Sequence, residues 1–209
     1  MSMKNILQKF INLFGYKISK IKTIDKYDLD GFIKYINEKE KPVIFDVGAN
    51  KGQSIKRFKK MFKECTIHSF EPGDSECEQM RVNHKNDNSV YINNVGVGEK
   101  KEFLEFYINA KTTHSSFKKL LRNTTWIKKR SEVKKIKNEK YTISKELKQI
   151  ITLDDYANLN GIKNIDILKI DTQGYDDKVI AGAKNLINGN KIKIIQIEII
   201  FSEIYENPL

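Results

Sequence analysis

The chain has 209 residues, a formal net charge of +11 and two cysteines. That length gives one domain with a full core plus appendages, and two widely spaced cysteines exclude a disulfide scaffold or a cysteine-built metal site. No apolar run reaches the length of a membrane span and no signal-peptide pattern is evident, so a cytoplasmic protein is expected. The positive balance suits an anionic partner such as nucleic acid, phosphorylated lipid or acidic glycan, although a lysine-rich composition produces the same balance without function.

Residues 1–41 read as an N-terminal helical appendage. Ile6, Leu7, Phe10, Ile11 and Phe14 form a helical stripe among Lys4, Lys9, Lys17, Lys20 and Lys22. Such a basic amphipathic helix either lies on an anionic membrane surface, a peripheral contact at its inner face, or packs on its own domain. A second helix follows through Leu29, Phe32, Ile33 and Ile36 and ends by Pro42.

Residues 42–209 carry an α/β rhythm. Val43–Val47 has the length and β-branched content of a buried parallel strand, and Ile55, Phe58, Met61 and Phe62 after it recur at helical spacing. Between them, Gly48 and Gly52 allow a sharp turn and a close backbone approach to a ligand. The spacing G-x-x-x-G is not the dinucleotide G-x-G-x-x-G, and no G-K-[ST] closes a P-loop. Asp46-x-Gly48-x-Asn50-x-Gly52 resembles the S-adenosylmethionine (SAM) loop of class I methyltransferases, in which the acid and loop backbone hold the methionine end of the cofactor. A strand-turn-helix without a ligand is the alternative. The next strand, Thr66–Phe70, ends in Glu71-Pro72, where doubly wound folds place an acid on ribose hydroxyls.

Asp74 is expected to cap a helix bearing Cys77, Met80 and His84 on one stripe. Val90–Val95 reads as a third strand, and the class I resemblance puts Asn94 beside the adenine. Glu102–Ile108 alternates as an added strand. Residues 111–148 then break the rhythm with dense Lys and Arg and the single tryptophan, Trp126. The segment is too long for an ordinary connection, so it is expected to be a basic insertion or lid, with Trp126 available to stack on a ring. His114-Ser115-Ser116 opens it as a short polar turn that could face the acceptor, with His114 and Ser115 the candidate contacts. Thr152 begins a capping-box-type helix. Ile165–Ile170 is the fourth strand, Val179–Ile187 an amphipathic helix, and Ile192–Phe201 a strand apolar enough to be central and buried on both faces.

Charge interrupts these buried strands at Lys169, Asp171 and Glu198, which therefore need partners. Lys169 and Asp171 share a face, and Lys169 and Glu198 would neutralise each other if the last two strands are neighbours. Asp171 stands at the carboxyl end of its strand, where open α/β sheets bind ligands.

Asp46-Val-Gly-Ala-Asn-Lys-Gly52, Phe70-Glu-Pro72, Thr152-Leu-Asp154 and Leu168-Lys-Ile-Asp171-Thr-Gln-Gly174, with Glu198, are similar in order and spacing to the FkbM-type methyltransferases. The resemblance covers about Pro42 to Phe201. It implies a Rossmann-like class I sheet with helices on both faces, SAM as donor, and O-methylation of a sugar, surface glycan or related hydroxyl. It implies SAM-binding roles for Asp46, Gly48, Asn50, Gly52 and Glu71 and a site role for Asp171, with Lys169 beside it. Two departures stand out. Gln173 and Asp176 occupy positions where the family often has Glu, which weakens a metal-assisted mechanism; Asp171 and Glu198 are the candidate ligands if a divalent metal is used. The sequence also runs out soon after the fifth strand, so the expected sheet lacks the C-terminal antiparallel strands. The expected function is a SAM-dependent O-methyltransferase with a glycan or small-molecule acceptor. The alternatives are a nucleic-acid methyltransferase, disfavoured by Asp171-Thr-Gln-Gly174 after the fourth strand, and a non-catalytic SAM-binding domain.

Overall fold

The computed structural model describes residues 28–135, 137, 140–200 and 204–206. The expected basic helix at Ile6–Phe14 lies outside them. The chain divides into two compact units, residues 1–36 and 37–209. The first contributes helix α1 (Leu29–Ile36). Among the described residues, no helix is long and apolar enough to cross a membrane.

The second unit is a Rossmann-like α/β fold. In chain order it contains β1 (Val43–Val47), α2 (Gln53–Met61), β2 (Thr66–Phe70), α3 (Asp74–Asn83), β3 (Val90–Asn93), β4 (Gly96–Val97), β5 (Glu102–Asn109), α4 (Thr125–Lys134), β6 (Thr142–Ile151), α5 (Leu153–Leu159), β7 (Ile165–Ile170), α6 (Asp176–Ala181), α7 (Lys184–Asn188) and β8 (Ile192–Ile197). Five parallel strands form the main sheet in the order β3-β2-β1-β7-β8, and β4-β6-β5 form a second sheet. Strand periodicity sorts the core. Phe45, Val47, Phe70, Leu168 and Ile170 face one side and pack with Leu153, Ala157, Val179 and Leu186 of α5, α6 and α7. Ile44, Ile67 and Ile167 face the other, the side on which Arg57 of α2 donates to Gln196 of β8 at 2.9 Å. Near the carboxyl ends, register sets Ser69, Asp46, Lys169 and Gln196 in one lateral polar row on that second side.

Four expectations are corrected. The isoleucine-rich β8 is an edge strand, with Ile195, Ile197 and Ile199 exposed; Phe201 lies outside the described residues. Residues 111–148 are not one insertion, because the last seven residues of the segment are the start of β6, antiparallel to β5 from Thr142. The hydroxyl of Thr152 caps α5 as expected, but Asp74 does not cap α3: Gly73 occupies that position and Asp74 pairs with Lys148 at 2.6 Å. The helix expected over Val179–Ile187 is two helices. The break falls at Gly182, where a Cβ would sit 2.0 Å from the Gly98 carbonyl oxygen, so only glycine fits. The carboxylate of Asp154 then starts α7, accepting from the amides of Asn185 and Leu186 at 2.9 Å each.

Candidate active site

A cavity of about 270 Å³ opens at the carboxyl ends of β1, β2 and β7. Its size is near the lower end for small-molecule sites, about 300 to 1,000 Å³. Gly48, Asn50, Glu71, Lys169, Asp171 and Thr172 line it. Ser115 and Phe117 also line it.

The β1 loop is built for close approach. Gly48 has φ +78°, and a Cβ on it would lie 1.9 Å from the Asp171 carbonyl oxygen, so only glycine fits. Gly52, at φ +82°, is the N-cap of α2. The next residue the sequence singled out, Asn50, takes φ 47°, donates its amide N–H to Glu71 Oε2 at 2.8 Å and its side-chain amide to Thr112 Oγ1 at 3.2 Å.

Glu71 is buried and accepts from the amide of Gly73 at 2.9 Å through its other oxygen. Burial pushes its carboxyl up to about 7, although the Gly73 and Asn50 N–H groups pull the other way. Asn94 donates to the carbonyls of Glu71 and Pro72 at 3.2 Å and is not among the residues lining the cavity.

Asp46 is fully buried, and neither carboxylate oxygen accepts a well-directed hydrogen bond. Its charge partner is Lys169, whose Nζ lies 3.1 Å from Oδ1. The same ammonium donates to the Gly48 carbonyl at 3.1 Å and stands 3.5 Å from Asp171 Oδ2. Lys169 therefore pairs with Asp46 and Asp171 rather than with Glu198, because register sets it opposite Gln196. Burial pushes its ammonium down, but Asp46 and Asp171 outweigh that and hold it above the usual lysine value. Lys169 keeps its proton at neutral pH and cannot serve as a base.

Beside Asp171, the side chain of Gln173 links two carboxyl groups. Its Nε2 lies 2.8 Å from Asp171 Oδ1 and 2.8 Å from Glu198 Oε2, and its Oε1 accepts from the Tyr205 hydroxyl at 3.2 Å. Partial burial first, and Asp171 second, push the Glu198 carboxyl up to about 7. Asp176 is buried beneath the loop and accepts from the amides of Thr172 and Gly174. Among the described residues, no group of three His, Cys, Asp or Glu side chains is arranged to hold a metal ion.

His114 and Ser115 separate. Ser115 lines the cavity, its hydroxyl accepting from the Asn109 amide at 3.1 Å. His114 is buried in a small core with Leu120, Ile127, Tyr141 and Tyr205; its Nδ1 is 2.8 Å from the Tyr141 hydroxyl. Trp126 meets the His114 ring edge-on at 4.8 Å, so its ring belongs to that core rather than to an open stacking surface. Ser116, the third residue of that polar turn, donates its hydroxyl to the Gln173 carbonyl at 2.9 Å; Tyr205 was not among the sequence candidates, and Gln173 was noted there only as a departure from the family. Only the left-handed Gln173-Gly174 turn, φ +56° and +89°, was within reach of a sequence signal, through Gly174.

A parallel sheet ordered β3-β2-β1-β7-β8, with a glycine loop after β1 and a buried acid after β2, defines a class I methyltransferase fold. The chain belongs to the FkbM methyltransferase family: residues 46–208 match the Methyltransferase FkbM domain. It is 27% identical over 173 residues to the 2-O-methyltransferase NoeI of Sinorhizobium fredii (strain NBRC 101917 / NGR234), an alignment that covers 82% of this chain and 69% of that protein.

Proposed function

We propose that this methyltransferase uses SAM to methylate a hydroxyl of a sugar, surface glycan or related small molecule. The carrying observation is that one cavity joins the Gly48–Asn50 loop and Glu71 to Asp171 and Thr172. The residues fit SAM. Gly48 leaves room a side chain would fill, and the Glu71 carboxylate in the cavity wall suits ribose hydroxyls, while Asp46 lies buried behind the loop as the partner of Lys169. The 2-O-methyltransferase name of the rhizobial relative favours oxygen as the acceptor atom.

SAM, when bound, supplies a methyl group already made electrophilic by its sulfonium. The chain's task is then alignment and proton removal. Asp171, with Glu198 beside it, would take the proton of the acceptor hydroxyl as that oxygen gains the methyl group. Lys169 holds Asp46 and Asp171 in place from below.

A thermal-shift titration with S-adenosylhomocysteine, with NAD as control, tests the reading. At a hundred times the dissociation constant a ligand stabilises by about 2.7 kcal/mol, on the order of 5 to 10 °C for a domain of this size. A shift with S-adenosylhomocysteine alone supports the reading. No shift in the folded chain overturns it.

A further inference from the structure

Two carboxyl groups that converge on one point need positive charge or hydrogen-bond donors between them, since each repels the other. Asp171 comes from the end of β7, where the Lys169 ammonium stands 3.5 Å from it, and Glu198 from just beyond β8; the side chain that donates to both is the uncharged amide of Gln173. Both Nε2 bonds of Gln173 measure 2.8 Å, one to each carboxyl group. An amide nitrogen has two N–H donors, so this arrangement uses both.

The amide is itself held. Tyr205, 3% exposed, shares its single O–H between the His114 carbonyl at 3.0 Å and Gln173 Oε1 at 3.2 Å. The backbone at Gln173 takes φ +56°, a conformation that costs energy for a residue with a side chain. Asp176 and Ser116 fix the flanking backbone. A strained backbone, a locked carbonyl and two engaged N–H groups together specify where the amide sits.

We propose that Gln173 is the positioning residue of the acceptor site, its amide bridging Asp171 and Glu198 where a divalent cation would otherwise link them. The inference rests on the methyltransferase reading and deepens it. The acceptor O–H bond breaks, its proton passes to the Asp171–Glu198 pair, and oxygen takes the methyl group from sulfur. No cation is required to balance that step, because the Gln173 amide already keeps the two carboxyl groups together.

The test uses MnCl2 as the probe, read by thermal shift and by loss of the free Mn²⁺ electron-spin signal. The wild-type chain is expected to show no shift reversible by EDTA. Gln173→Glu replaces the bridging donor by a third carboxylate and is expected to take up Mn²⁺, with stabilisation on the order of 5 to 10 °C at a hundredfold excess over its dissociation constant. Adding Asp171→Asn to that variant is expected to abolish the gain. The proposal is overturned if the wild-type chain binds Mn²⁺ and loses it on Asp171→Asn, or if folded Gln173→Glu takes up none. S-adenosylhomocysteine shifts, measured in parallel, judge the donor site separately: losing them overturns the methyltransferase reading, while the Mn²⁺ arms decide the bridge.

Discussion

Gly48 and Asp171 are in backbone contact: a Cβ on Gly48 would stand 1.9 Å from the Asp171 carbonyl oxygen. The loop proposed to hold the donor and the strand end proposed to serve the acceptor are thus pressed together without an intervening side chain. Gly48→Ala adds both a left-handed strain and an overlap with backbone. Those costs, about 1–2 and 1–3 kcal/mol, predict destabilisation by about 2 to 5 kcal/mol. Urea denaturation gives the value, and a loss below 1 kcal/mol would mean the two segments part easily.

In the proposed donor site, Glu71 would couple cofactor binding to protons. Its carboxyl is pushed up to about 7 by burial. The unfolded chain ionises this group near 4.5, so its contribution to stability is complete below that pH and is lost as pH rises through about 7. Ribose hydroxyls donating to the carboxylate favour ionisation. Binding of S-adenosylhomocysteine between pH 6 and 7 should therefore release up to about one proton. Calorimetry in buffers of different ionisation enthalpy measures it; Glu71→Gln should remove the release.

Lys169 is the only cation against Asp46 that the described ion pairs show. Lys169→Met leaves that carboxylate buried without its partner, which costs about 3 to 5 kcal/mol. Adding Asp46→Asn should recover much of the loss, because the uncompensated charge goes with it. A double variant no more stable than Lys169→Met would show that packing, not charge, sets the penalty.

His68 predicts the acid limb of the stability curve. It is buried on β2, stacked on Tyr91 at 4.6 Å, with Nδ1 2.9 Å from the Tyr156 hydroxyl. Burial drives its imidazole down from 6.5 to about 4. As pH falls, the unfolded chain takes up the proton first, so stability is lost between about pH 6.5 and 4 and is unaffected above. The loss is at most about 3 kcal/mol. His68→Gln should flatten this limb.

The β1 loop and the strand ends were legible because local chemistry writes them: glycines at positive φ, an acid closing an apolar strand, a proline after Glu71. The same locality explains the misses. An isoleucine run looks alike at the centre of a sheet and at its edge, and only the neighbours of β8 decide which. Lysines hid the start of β6, since an antiparallel strand with one solvent face tolerates them. Gln173 read as a loss of charge, and its value as a two-way donor depends on Glu198, 25 residues away. His114 looked like an acceptor contact because nothing nearby announces Tyr141 and Trp126 around it.

The Thr152-Leu153-Asp154 motif closes the turn between β6 and α5 with one side chain and starts α7 with another. Neither side chain lines the cavity. A signature stretch can thus mark a family while standing apart from its chemistry. Asp154→Ala alleles should behave as temperature-sensitive ones, with normal specific activity in whatever protein remains folded and a shortfall in abundance as the growth temperature rises.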